Sequence, residues 1–162
     1  KLHEKYEAIS DFCNTKKKTE FICSPAEDVD LGEREFDFVF TSPPYFNIER
    51  YSEEETQSWK RYTTPEKWLE GFLFPTLTKC WKHLSEGGRM CININDKKNI
   101  NLCEPMLKHM ENLNAHYEGV IGYELYQRGG QKTTKPFGEP IWIWSKGVAP
   151  EPKYKTENFF GV

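Results

Sequence analysis

Apolar positions change period along the chain, and each change marks an element. Leu2, Tyr6 and Ile9, with Cys13 beyond them, recur at helical intervals and predict an amphipathic helix from Lys1 to about Phe12. Lys16, Lys17 and Lys18 then form a polar turn. "TEFICS", residues 19–24, is a β-prone run stopped by Ser24-Pro25 and the acidic "AEDVD". "FDFVFT", residues 36–41, predicts a parallel-sheet strand buried on both faces. Thr63 and Glu66 have the spacing of a capping box, with Pro65 tolerated in the first turn. Trp68, Leu69, Phe72, Leu73, Leu77, Cys80, Trp81 and Leu84 follow as one helical stripe, which reads as core. Pro75 should kink that helix and Gly87-Gly88 should end it.

"RMCININ", residues 89–95, is the next predicted strand, and a helix from Glu104 to about Leu113 turns Leu102, Met106, Leu107, Met110 and Leu113 inward. "YEGVIGYELYQ" (117–127) and "PIWIWSK" (140–146) alternate with the period of two expected of strands. The order is thus helix, strand, strand, helix, strand, helix, strand, strand. Helices between strands imply right-handed crossovers and a mostly parallel sheet, so the fold class is α/β. The last two strands are joined without a helix, which predicts one antiparallel strand at a sheet edge.

Composition adds limits to this picture. The 162 residues suit one domain, expected over 1–147 with a tail over 148–162. Five Trp, eight Tyr and eleven Phe supply large contact areas. A net charge of −3 excludes polyanion binding by bulk charge, so any nucleic-acid contact must come from a local patch. No apolar run approaches the roughly 20 residues of a membrane span, and the charged opening "KLHEKYEAIS" is unlike a signal peptide. A soluble, cytoplasmic protein is the expectation. Cysteines 13, 23, 80, 91 and 103 lack CxxC spacing, which predicts free and mostly buried thiols; the four His show no metal spacing.

Chemistry concentrates where "FDFVFT" meets Ser42-Pro43-Pro44-Tyr45. An open parallel sheet binds ligands beyond the carboxyl ends of its strands. Two prolines fix φ and remove two donors, leaving carbonyls aimed in one direction. Carbonyl and hydroxyl acceptors of this kind suit a flat ring bearing an amino group: they take both hydrogens and draw the nitrogen toward tetrahedral geometry. Tyr45 is expected to be an exposed ring that stacks on such a base, worth about 1–3 kcal/mol, against the few kcal/mol lost in extruding a base from a duplex.

"TSPPYF" after an apolar strand resembles the catalytic motif of the amino-methylating DNA methyltransferases, in which Asp, Asn or Ser precedes Pro-Pro and an aromatic residue. That resemblance implies a Rossmann-like fold and S-adenosylmethionine-dependent methylation of adenine N6 or cytosine N4 in DNA. It implies catalytic roles for Ser42, Pro43, Pro44 and Tyr45. "FICSPAED" resembles the family's third strand and acidic turn, which implies that Ala26, Glu27, Asp28 and Thr41 lie against the cofactor. "LSEGGRMCININD" and "GEPIWIWSKG" resemble its fifth and closing strands. The family's glycine-rich first motif has no counterpart upstream of residue 19, so the first two strands are expected to be missing. Another chain or an upstream segment would then complete the sheet.

Residues 45–62 interleave aromatic and basic side chains, and Phe46, Arg50, Lys60 and Arg61 are candidate nucleic-acid contacts. The same aromatic residues could instead pack on the long helix. Arg128, Lys132 and Lys135, in the glycine-rich stretch before the last strand, form a candidate basic finger or a solvated hairpin. Two other readings stand beside DNA methylation. One is a non-catalytic nucleic-acid-binding or assembly module of the same fold, supported by the missing glycine motif. The other is methylation of RNA or of a protein glutamine, although relatives of the latter kind carry Asn-Pro-Pro-Tyr.

Overall fold

The computed structural model describes residues 19–122 and 139–147. The helix expected over the first twelve residues, Cys13, the basic stretch holding Arg128, Lys132 and Lys135, and the C-terminal tail lie outside the described residues. Four strands form one mixed sheet: β1 (Phe36–Thr41), β2 (Leu84–Asn93), β3 (His116–Gly122) and β4 (Pro140–Ser145), in the order β1-β2-β4-β3. β1 and β2 are parallel, while β4 runs antiparallel to both β2 and β3. The single antiparallel strand was expected at an edge; instead β4 lies between β2 and β3. Tyr117 of β3 meets Trp142 and Trp144 of this inserted strand, with ring centroids 6.4 and 5.8 Å away.

One layer of helices covers one face of the sheet. α1 (Ser58–Arg61) and α2 (Pro65–Trp68) lead through a π-helical turn (Leu69–Leu73) into α3 (Phe74–Lys82), and α4 (Cys103–Asn112) follows β2. The cap is Thr64 rather than Thr63: its side chain accepts from the Lys67 N–H at 3.3 Å, and Pro65 occupies the first turn. Pro75, expected to kink the helix, is preceded by a widened turn. A proline cannot donate to the carbonyl four residues back and collides with it; a π turn shifts bonding to the fifth, as in Phe74 N–H to the Leu69 carbonyl. Gly71 sits in that turn because a Cβ there would run into the Tyr62 ring.

The core follows the predicted stripe. Trp68, Leu73, Leu77, Leu84, Met90, Ile92, Ile94, Leu102, Met106 and Met110 are fully buried. Gly87-Gly88, expected to end the long helix, lies inside β2, with Gly87 at φ +80°. The helix stops instead where the Lys146 ammonium reaches the carbonyls of Trp81, Lys82 and Leu84, at 2.6–3.3 Å. A cation at the last carbonyls satisfies their orphan acceptors and the helix dipole.

Two strand expectations fail for a common reason. Residues 19–24 form no strand, and Phe21 and Ile22 stand 45% and 48% exposed. β1 is only partly buried on one face, at Val39 and Thr41, while Phe38 and Phe40 on the other are 58% and 56% exposed. A strand needs a hydrogen-bonded neighbour and an apolar face needs a covering layer. Among the described residues β1 pairs with β2 alone, and 19–24 joins no strand. Cys91 and Cys103 are buried free thiols, whereas Cys23 is exposed.

His109 on α4 stacks on Phe74 at 4.4 Å, and its Nε2 lies 2.9 Å from the Thr78 hydroxyl, tying α4 to α3. Burial lowers its pKa below the ordinary 6.5. The unfolded chain then binds the proton more readily than the folded one, so stability is complete above pH 6.5 and falls as the pH drops below it. The urea midpoint is therefore expected to decline more steeply between about pH 7.5 and 5.5 in the parent than in His109→Gln. Equal declines would contradict this.

Candidate active site

Ser42-Pro43-Pro44-Tyr45 leaves the carboxyl end of β1, and Asn93 ends β2 beside it, since Thr41 is paired with Ile92. β4 runs the other way, so its first residue, Pro140, arrives at the same end. The three strand ends meet in one hydrogen-bonded cluster. The Ser42 hydroxyl donates to Asn93 Oδ1 at 3.2 Å, and Asn93 Nδ2 donates to the Pro140 carbonyl at 3.2 Å. Ser42 is exposed, whereas Asn93 is buried.

Past the prolines the chain turns sharply. The Pro44 carbonyl accepts from the Phe46 N–H at 2.9 Å, and Phe46 itself adopts φ +49°. A bulky residue in the left-handed region is strained by about 1–3 kcal/mol. Packing holds it there, because Phe46 is buried and meets Trp68 edge-on at 6.5 Å. Glu49 braces the same turn by accepting from the Tyr45 N–H at 3.1 Å and the Tyr51 hydroxyl at 3.3 Å. Among the described residues no hydrogen bond ends on the Pro43 carbonyl, and Pro43 is itself buried.

Tyr45 departs from the expected exposed ring. It is 2% exposed, and the Lys97 ammonium stands 3.9 Å above its ring centroid. Lys97 also reaches Glu139 at 3.7 Å, so it spans from the segment after β2 to the start of β4. Asp96, next to it, caps α4 from outside: its Oδ1 accepts from the Leu102 and Cys103 N–H groups at 2.7 and 2.9 Å.

The acidic turn is fixed by two cations. The Lys79 ammonium lies within 3.4 Å of the carbonyls of Ala26, Glu27 and Val29. The Arg61 guanidinium donates to Glu27 at 2.7 Å and to Asp28 at 2.6 Å. The Glu27 side chain is only 3% exposed, whereas that of Asp28 is 51% exposed. Arg61 is thus engaged within the chain rather than open to a phosphate. Lys60 is likewise paired with Glu53 and Glu55. Arg50 lies over the Trp59 ring at 4.6 Å on an exposed part of the loop. Phe46, expected at a nucleic-acid surface, is in the core, which decides between the two readings of the aromatic loop for that residue.

Of the expected site residues, Ser42, Pro43, Pro44, Tyr45 and Thr41 gather at the strand ends; Ala26, Glu27 and Asp28 form a separate anchored turn. Asn93, Lys97 and Glu49 escaped sequence reasoning. The alternation Ile92-Asn93-Ile94-Asn95 was a usable signal, for it places a polar side chain at the end of a buried strand.

A family model described as DNA methylase matches residues 36–158. No curated protein sequence matches the chain. A crystal structure from Thermus thermophilus, described as that of a DNA modification methylase, superposes with a TM-score of 0.53 at 18% identity, over 82% of this chain and 56% of that one. TehB from Haemophilus influenzae gives 0.52 at 10% identity, over 86% and 44% of the two chains. An S-adenosylmethionine-dependent methyltransferase from Clostridium acetobutylicum gives 0.50 at 10% identity, over 88% and 70%. At these identities the likeness is one of fold, the Rossmann-like methyltransferase fold. The chain spans just over half the length of the Thermus protein. Among the described residues no helix is long and apolar enough to cross a membrane.

Proposed function

The chain belongs to the N6/N4 DNA methylase family, and from that premise we propose that it methylates an exocyclic amino group, adenine N6 or cytosine N4, in DNA. Membership implies S-adenosylmethionine as the methyl donor. When bound, that cofactor supplies an electrophilic methyl group. The described residues do not make a full site for it: the Glu27 carboxylate is held by Arg61 and nearly buried. The roles of Ala26, Glu27, Asp28 and Thr41 toward the cofactor are therefore proposals, with Asp28 the more open carboxylate.

The acceptor side is where this chain's own residues act. The observation that carries the reading is the rigid bend at the end of β1, with the Ser42 hydroxyl and the Pro43 carbonyl as neighbouring acceptors. One amino hydrogen goes to each, the nitrogen moves toward tetrahedral geometry, and its lone pair becomes available to the methyl carbon. Once methylated, the nitrogen carries a positive charge and two hydrogens, and one of these departs to solvent as a proton. No covalent bond to the enzyme is needed, and no Cys lies in the bend. A base stacked on Tyr45 takes the place of the Lys97 ammonium over that ring. Arg50, with Arg128, Lys132 and Lys135 outside the described residues, is proposed to meet DNA phosphates.

The uncovered face of β1, with Phe36, Phe38 and Phe40 exposed, supports completion of the sheet by an upstream segment or another chain. Slow amide exchange along the outer edge of β1 in the full-length protein is the expected sign; fast exchange there contradicts it. The functional test offers labelled S-adenosylmethionine to the full-length protein with DNA, RNA or total protein as acceptor. Label in DNA is expected. Label only in RNA or protein, or none in any of the three, overturns the proposal.

A further inference from the structure

We infer that Asn93 is a positioning residue that makes the Ser42 hydroxyl an obligate acceptor for the target amino group. This inference rests on the proposed amino methylation. A serine hydroxyl has one hydrogen and two lone pairs, and it rotates to suit its surroundings. In front of an NH2 group it is useful only with its lone pairs outward, since two donors face to face repel. A serine at this position therefore carries an ambiguity that a carboxylate there would not.

Asn93 removes it. Its Oδ1 lies 3.2 Å from Ser42 Oγ, and an amide oxygen can only accept, so the Ser42 hydrogen must point inward. Amide oxygen and nitrogen are assigned from their hydrogen bonds, and here the assignment is forced by a third group. The other end of the amide lies 3.2 Å from the Pro140 carbonyl, which also can only accept, so Nδ2 must face Pro140. Rotating the amide by half a turn would set acceptor against acceptor at Pro140. Asn93 is 4% exposed, so water does not compete for either contact. The proton order runs in one direction, from Ser42 to Asn93 to Pro140. Both lone pairs of Ser42, the exposed member of the three, are left facing outward.

A double-mutant cycle in the full-length protein tests this. Asn93→Leu in the parent is expected to lower kcat for DNA methylation by about 20-fold, with the KM for S-adenosylmethionine unchanged. On a Ser42→Ala background, where no hydroxyl remains to orient, the same substitution is expected to change kcat less than about 2-fold. Equal losses on both backgrounds overturn the inference, for they would show a merely structural effect. A second measurement needs neither activity nor a folded Asn93→Leu variant. The side-chain amide of Asn93 should give one resolved, slowly exchanging pair of proton resonances that moves and exchanges faster in Ser42→Ala. An unmoved pair overturns the Asn93–Ser42 link even if the protein methylates DNA. A parent without methyl transfer, but with the pair moving as expected, sinks the methylation reading and the catalytic purpose given to Asn93 together, and leaves the bond itself standing.

Discussion

Ser42→Ala in the full-length protein is expected to lower the rate of methyl transfer to DNA by about 100-fold, the size of effect typical when one fixed polar group of a transition-state cradle is removed. Ser42 is exposed, and among the described residues its side chain makes one hydrogen bond, to Asn93. Little stability therefore depends on it. The melting temperature should move by no more than about 2 °C, because Asn93 retains its bond to Pro140 and water can reach the vacated oxygen. The substitution separates chemistry from folding. Affinity for the methyl donor should be unchanged, since the acidic turn is held by Lys79 and Arg61, not by the bend. Kinetics with a melting curve on the same sample check it, and parental rates in the alanine variant would contradict it.

The largest stability effect belongs to Trp68. Its ring is fully buried, lies 5.1 Å from Phe72 and 6.5 Å from Phe46, and donates from Nε1 to Ser58 Oγ at 3.2 Å. One side chain thereby joins the left-handed residue after the Pro-Pro bend, the short helix α1 and the start of the long helix. Trp68→Ala should destabilise the fold by about 3–5 kcal/mol, the range for removing a large buried aromatic residue. Trp68→Phe should lose about 1–3 kcal/mol, the smaller volume plus an unpartnered Ser58 hydroxyl. Because Phe46 is strained in the absence of packing, Trp68→Phe should also lower methyl transfer more than its stability loss explains, as the bend loosens. Urea unfolding read by near-ultraviolet dichroism measures the first effect. A loss under about 1 kcal/mol for Trp68→Ala contradicts the central place given to this ring.

The helical stripe from Trp68 to Trp81 was legible because packing and periodicity agree there, whereas Leu84, expected on the same stripe, reaches the core as the first residue of β2. The bend after β1 was legible for a different reason, since two prolines dictate backbone geometry whatever surrounds them. Where the reading departed from the fold, a distant partner decided. Lys146 ends the long helix from far along the chain, which freed Gly87-Gly88 to enter β2. "TEFICS" has strand propensity but no described strand to pair with. Tyr45 reads as an open ring from its neighbours alone, since nothing local shows that the distant Lys97 lies over it. Arg61 carries charge suited to phosphate, yet its partners Glu27 and Asp28 come from more than thirty residues upstream. Asn93 illustrates both sides. Its position at a strand end was readable, while its role depends on Ser42 and Pro140 arriving at the same end of the sheet.

The most direct test of amino methylation is the chemical position of the transferred group. DNA incubated with the full-length protein and isotopically labelled S-adenosylmethionine is digested to nucleosides and analysed by mass spectrometry against synthetic standards. The label is expected on an exocyclic nitrogen, as N6-methyladenine or N4-methylcytosine, and to form about 100-fold more slowly after Ser42→Ala. Label at carbon 5 of cytosine, or equal labelling by the parent and the Ser42→Ala protein, would contradict the acceptor cradle at the end of β1.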